Sequence, residues 1–240
     1  MEWIGVLIGE ILLLIIVAGL FKTSTKKMKE MIKNERLDQI AKKFPNNKEI
    51  CQHILKMLHN ETVSIKENEN KENKTSLYIA TTNTIWIANI KDSYTRIQTI
   101  AHECLHSIQG RKRLLFNFIY SNVYLLYFLF SIILTIIGIL KNYNLQLIIL
   151  IGLSFLYYMV RSYLEIDAMT KAKFIARDYM QAYIKENNQI TQEEVEEFVQ
   201  TYEKMNEKGI PMTMFILFFN CMLKIVIYTL IAMMMTFFFV

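Results

Sequence analysis

The segment Ile100-Ala101-His102-Glu103-Cys104-Leu105-His106-Ser107-Ile108-Gln109 sets two imidazoles and a carboxylate at His-Glu-x-x-His spacing. In a helix, residues i and i+4 stand one above the other, so His102 and His106 face one point. Two neutral imidazoles are half of a zinc site, and a catalytic zinc takes three protein ligands with water in the fourth tetrahedral position. The ion lowers that water's pKa from ~15.7 to ~7, and Glu103 stands beside the first ligand to complete the deprotonation as general base. With four histidines in 240 residues, chance yields the pattern in roughly one chain in 200. The alternative is a buried structural pair of histidines.

A helix must hold these groups. Ile97, Ile100, Ala101, Leu105 and Ile108 give it an apolar stripe, and Gly110 is a candidate C-terminal stop. Cys104 falls on another face and reads as a packing residue. The three cysteines, Cys51, Cys104 and Cys221, are odd in number and far apart, so they supply no disulfide framework. His53 and His59 are six apart, a poor spacing for joint chelation, and read as surface residues.

Apolar residues make up 53% of the chain and collect in long runs over Trp3–Phe21, Leu114–Leu140, Leu145–Val160 and Met212–Val240. The expected fold class is mainly α: a polytopic membrane protein with about four transmembrane helices and a small cytoplasmic α+β catalytic region. The divisions are an anchor at 1–21, a cytoplasmic region with edge strands and the motif helix at 22–113, a transmembrane hairpin at 114–160, cytoplasmic helices at 161–210 and a C-terminal span at 211–240. The first run has Glu2 ahead of it and its lysines behind, the pattern of an uncleaved anchor. Lys22, Lys26, Lys27, Lys29, Lys33 and Arg36 follow it, which puts the N-terminus outside and the motif in the cytoplasm. The net charge of +5 reports orientation and not nucleic-acid binding.

The third ligand must come from the same side. Just past the third apolar run lies Glu165-Ile166-Asp167-Ala168. If that span continues as one helix, Glu165 stands roughly 7 Å beyond Val160, close to the membrane surface. Two residues are about 200° of helical rotation, so Glu165 and Asp167 cannot both face one ion. Glu165 is the expected ligand, and Asp167 is expected to orient a ligand histidine through its other ring N–H. Arg161 is either an i, i+4 partner of Glu165 or a positive-inside residue.

Upstream, Asp38–His59 reads as helical with a break at Pro45, and Asn60–Thr75 as a solvated linker with inert sequons at Asn60 and Asn73. Ser76–Ile90 reads as two short strands or a hairpin. Its second strand, Thr84–Asn89, with Thr84, Trp86 and Ala88, either offers its edge to a substrate backbone or is a structural edge strand.

His102-Glu103-x-x-His106 followed by Gln109, an apolar hairpin and Glu165-Ile166-Asp167-Ala168 resembles the YugP-type neutral zinc metallopeptidases. It is more distantly similar to the HtpX and CAAX-protease type of membrane gluzincin. The resemblance spans about Thr75 to Lys171. It implies membrane insertion, a zincin-like catalytic region, zinc on His102, His106 and Glu165, and peptidase activity with Glu103 as base. Leu105 stands where the family commonly has glycine, and Met169 where HtpX-type enzymes have aspartate.

Beyond the hairpin, Lys171–Lys208 reads as two helices. The second starts at a capping box, Thr191 with Glu194, and the acidic run Glu193–Glu197 reads as a solvated face. Pro211 is expected to break the chain before the last span. Within that span Lys224 is expected either to pair with Glu10 of the first span, at nearly the same depth, or to snorkel.

The sequence therefore points to a membrane-embedded zinc endopeptidase, in the plasma membrane of a bacterium, acting on peptide or membrane-protein substrates. The alternative is a catalytically silent, zinc-stabilised scaffold or sensor. A metal transporter would carry its ligands within the spans.

Overall fold

The structure is a computed structural model that describes residues 2–21, 33–68 and 75–239. The chain is mainly helical: α1 (Glu2–Phe21), α2 (Glu35–Ala41), α3 (Asn47–Met57), α4 (Arg96–Ile108), α5 (Arg111–Ile136), α6 (Tyr143–Glu186) and α7 (Gln192–Phe239). Strands β1 (Ser64–Glu67), β2 (Leu77–Ile79) and β3 (Thr84–Ile87) lie between α3 and α4. Helices α1, α5, α6 and α7 are long and apolar enough to cross a membrane. Lys22, Lys26, Lys27 and Lys29, which carry much of the expected orientation, lie outside the described residues, as does Asn73. The chain divides into two compact units, one of residues 24–115 and 164–210, the other of 1–23, 116–163 and 211–240.

In the first unit, Asn34 and Asn46 cap α2 and α3 by accepting from the N–H groups of Leu37 (3.1 Å) and Glu49 (2.9 Å). The helical region breaks at Pro45 as expected. Ile50, Ile54, Ile85, Ile87, Ile97, Ile100, Ala101 and Cys104 share one core with Ala168, Ala172, Ala176, Tyr179, Phe198 and Tyr202. The motif helix, the sheet and the two later helices are thus held by the same apolar burial. Ile108 departs from the expected stripe: it is 44% exposed at the end of α4.

The sheet corrects two expectations. Asn60–Thr75 is not all linker, because Ser64–Glu67 pairs in parallel with Thr84–Ile87. Its sequence, one isoleucine among Ser, Lys and Glu, has almost no apolar pattern, and the backbone ladder to a strand about 20 residues away forms it. Asn60 likewise docks, donating to the Ser107 carbonyl (3.2 Å) and hydroxyl (2.9 Å) at the end of α4. The second correction concerns β3. The order is β1-β3-β2, with β2 antiparallel, so β3 is the middle strand and has no edge to offer.

The capping box at α7 forms as expected: Glu194 N–H donates to Thr191 Oγ1 (3.1 Å), and Thr191 N–H donates to Glu194 Oε2 (2.8 Å). Thr191→Ala is expected to lower stability by about 1 kcal/mol, measurable as a reduced thermal midpoint in detergent. The acidic run is partly engaged, with Glu194 on Lys43 (3.3 Å) and Glu197 on Arg36 (3.2 Å). Helix α7 does not break at Pro211 but runs through it. Proline forfeits one backbone bond and costs about 3 kcal/mol in a helix interior, which apolar burial of the flanking segments offsets.

The second unit packs Tyr124, Phe128, Leu147, Leu150, Met222, Ile225, Tyr228 and Ala232 inward. Ile15, Ile148 and Phe155 are each more than 60% exposed on its outside. Two pairs of its buried polar groups bond between helices: Tyr124 with the Ser154 hydroxyl (2.7 Å), and Thr229 donating to Glu10 Oε1 (2.7 Å). The expected Glu10–Lys224 pair is therefore absent. Lys224 donates to the Asn220 carbonyl at 3.3 Å and lies over the Tyr124 ring. Thr229 is five residues past Lys224, about 7.5 Å along the helix, and its neutral hydroxyl bonds Glu10 Oε1 there without a buried ion pair, while Oε2 is buried without a hydrogen-bond partner.

Candidate metal centre

Helix α4 carries His102 and His106 one turn apart, and α6, unbroken from Tyr143 to Glu186, carries Glu165. The three side chains converge. Nε2 of His106 is 3.1 Å from Nε2 of His102, and Glu165 Oε2 is 3.4 Å from His102 Nε2 and 3.8 Å from His106 Nε2. Ligand atoms ~2.1 Å from a tetrahedral ion stand about 3.4 Å from one another. The three separations bracket that value, so the group has the size and the donor chemistry to hold a metal ion. Among the described residues it is the one such cluster, and neither His53, edge-on against Tyr179, nor the exposed His59 joins it.

Burial disfavours the charged form of His106, but the hydrogen bond and charge of Glu165 outweigh it and raise the imidazole's pKa. Proton and metal therefore compete for the same lone pair. Glu103 is buried beside the group. Desolvation pushes its carboxyl up, and His102, His106 and an N–H bond from Tyr78 of β2 compensate in part. A carboxylate tuned toward neutrality within reach of a metal site is suited to take a proton at ordinary pH.

Asp167 does not touch a ligand histidine. Gln109 stands between, with Oε1 2.7 Å from His106 Nδ1 and Nε2 donating to the Leu164 carbonyl (2.8 Å) and to Asp167 Oδ2 (2.9 Å). Asp167 also accepts from Lys171 Nζ at 2.5 Å. Partial burial opposes ionisation of Asp167, but the Lys171 and Gln109 bonds hold its carboxyl below the usual range. The longer glutamine reaches His106 from the end of its own helix, which the shorter aspartate on α6 does not. Gly110, at φ +93°, supplies the turn that ends α4 immediately after it.

Thr84 and Trp86 lie on the middle strand β3 and Ala88 just past its end, so they do not offer the expected free edge. Thr84 Oγ1 donates to the Thr82 carbonyl (3.1 Å), Ala88 N–H donates to Ser76 Oγ (3.0 Å), and Trp86 lies beneath Lys66. Sequence reasoning placed Gln109 in the motif pattern but gave it no role, although it sits one turn past His106, and gave none to Tyr78, whose backbone contact has no sequence signal. Cys104 packs, as expected, with its sulfur 3.6 Å from that of Cys51.

Two histidines and a carboxylate around one point, with a buried acid on the helix of the histidines, form a group that could hold one metal ion. Protein-family models, curated proteins and solved structures contain no match to the chain.

Proposed function

We propose that the chain is a membrane-embedded zinc endopeptidase of the bacterial plasma membrane, with its N-terminus outside and its active site in the cytoplasm. The convergence of His102, His106 and Glu165 beside buried Glu103 carries the reading. Two imidazoles and a carboxylate are a donor set of catalytic zinc, and a general base has no use at a purely structural site. Four apolar helices whose outward side chains are large and aliphatic support insertion in a bilayer.

Bound zinc would supply Lewis acidity toward water and the scissile carbonyl. Glu103 takes the proton from the attacking water and delivers it to the leaving amine. His102, His106 and Glu165 fix the position at which this happens. The strand edge beside Glu103 belongs to β2, whose Tyr78 N–H bonds to that carboxylate. Among the described residues, β3 is the one strand that pairs with β2. An extended peptide would therefore lie along Leu77–Ile79, in place of the expected Thr84–Asn89.

The test is metal content together with cleavage of casein and of membrane proteins by the detergent-purified chain. One zinc per chain with cleavage that chelation abolishes and added zinc restores is the expected result. Metal retained without cleavage of any substrate would favour the scaffold, and no metal uptake would end the reading.

A further inference from the structure

We propose that Gln109 is the positioning residue of the metal centre: one amide that fixes which nitrogen His106 offers and holds the helix of Glu165 in register with the helix of the histidines. This rests on the metal-site reading above.

A primary amide has a donating end and an accepting end, and its neighbours decide which is where. One end of Gln109 lies 2.8 Å from the Leu164 carbonyl oxygen and 2.9 Å from an Asp167 carboxylate oxygen. A carbonyl cannot donate, so the NH2 group must be at that end. The oxygen then faces His106 Nδ1 at 2.7 Å. An oxygen acceptor there requires the proton on Nδ1, which leaves the lone pair of the neutral ring on Nε2. Nε2 is the atom that stands 3.1 Å from His102 Nε2 and 3.8 Å from Glu165 Oε2. The amide thus selects the tautomer that can bind a metal.

The same amide reaches the other ligand. Glu165 lies in a 44-residue helix, and a slip of one residue would turn its carboxylate by about 100° and shift it about 1.5 Å. Gln109 bonds to the backbone of Leu164, the residue before the ligand, and to Asp167 two residues after it. It is itself buried at 7% exposure, and its N–H donates to the His106 carbonyl (3.2 Å). One side chain therefore couples both ligand helices.

Gln109→Leu keeps the bulk and removes all three bonds. Zinc affinity, read by chelator competition, is expected to fall 10–100-fold, and the visible spectrum of the cobalt-substituted protein to change. Gln109→Glu keeps an acceptor for Nδ1–H but sets a carboxylate against Asp167. Adding Asp167→Asn restores a donor opposite it, so the double variant is expected to bind zinc at least about fivefold more tightly than Gln109→Glu alone. A purely structural role would give no such rescue. In metal-free protein, at a pH above the end of the observed His106 titration, 15N spectra of labelled histidine should show His106 as the Nδ1–H tautomer, lost in Gln109→Leu. If wild type takes up no zinc, the metal reading fails and the tautomer alone decides this one. Wild-type zinc affinity in Gln109→Leu, a double variant no tighter than Gln109→Glu, or an Nε2–H tautomer in wild type would overturn it.

Discussion

Glu103→Gln is expected to lower peptide hydrolysis about 10²–10⁴-fold while zinc content stays at the wild-type level. The substitution preserves shape, and the amide oxygen can still accept from the Tyr78 N–H that now bonds to the carboxylate. The three ligand atoms belong to other residues. What disappears is the ability to take a proton. Because Glu103 is 94% shielded from solvent, replacing a buried charge with a neutral amide also removes a desolvation cost. The thermal midpoint should therefore not fall, which separates loss of the base from loss of the fold. Wild-type turnover in Glu103→Gln would sink the assignment of the base, whatever the metal content.

The three residues of the candidate metal site were legible because their signals are local or follow from topology. His102 and His106 are a helical i, i+4 pair, and Glu165 lies where an uninterrupted helix must emerge from an apolar run. The capping box at Thr191 was legible for the same reason, since Thr191 and Glu194 are one turn apart. What escaped depends on partners distant in sequence. Ser64–Glu67 is a strand because β3 pairs with it, and that pairing is also what turns Thr84–Ile87 from an edge into a middle strand. Asp167 was assigned the right neighbourhood and the wrong contact, because side-chain reach across two helices cannot be read from spacing. Glu10 found Thr229 and not Lys224 for a related reason: depth along a helix is legible, but the face presented to a neighbour is not.

Arg96 carried no such signal, yet its loss is expected to have the largest effect on stability of any substitution outside the metal centre. It is the first residue of α4 and is 3% exposed. Its guanidinium donates to the Ala41 carbonyl (2.6 Å), the Phe44 carbonyl (2.9 Å) and Asn47 Oδ1 (3.1 Å). These acceptors belong to the turn around Pro45, where α2 ends and α3 begins. The Ala41 carbonyl also accepts from the Phe44 N–H (3.2 Å), so the Phe44 carbonyl and Asn47 Oδ1 depend most on the guanidinium. Two opposing effects set the sign. Desolvation penalises the buried cation, lowers its pKa and leaves Nε without a partner, so removing the charge recovers something. Against that, Arg96→Met strands two buried acceptors, the Phe44 carbonyl and Asn47 Oδ1, each at about 1–3 kcal/mol, and takes one of two donors from the Ala41 carbonyl. The stranded acceptors win, and a net loss of about 2–4 kcal/mol is expected. Arg96→Lys should recover only part of it, since one ammonium cannot match a planar fork on three acceptors. Trp86 lies in this unit and Trp3 in the other, so denaturant unfolding followed by fluorescence in a Trp3→Phe background reads the right transition. An unchanged midpoint for Arg96→Met would show that the turn holds itself and that the ligand helix does not depend on this brace.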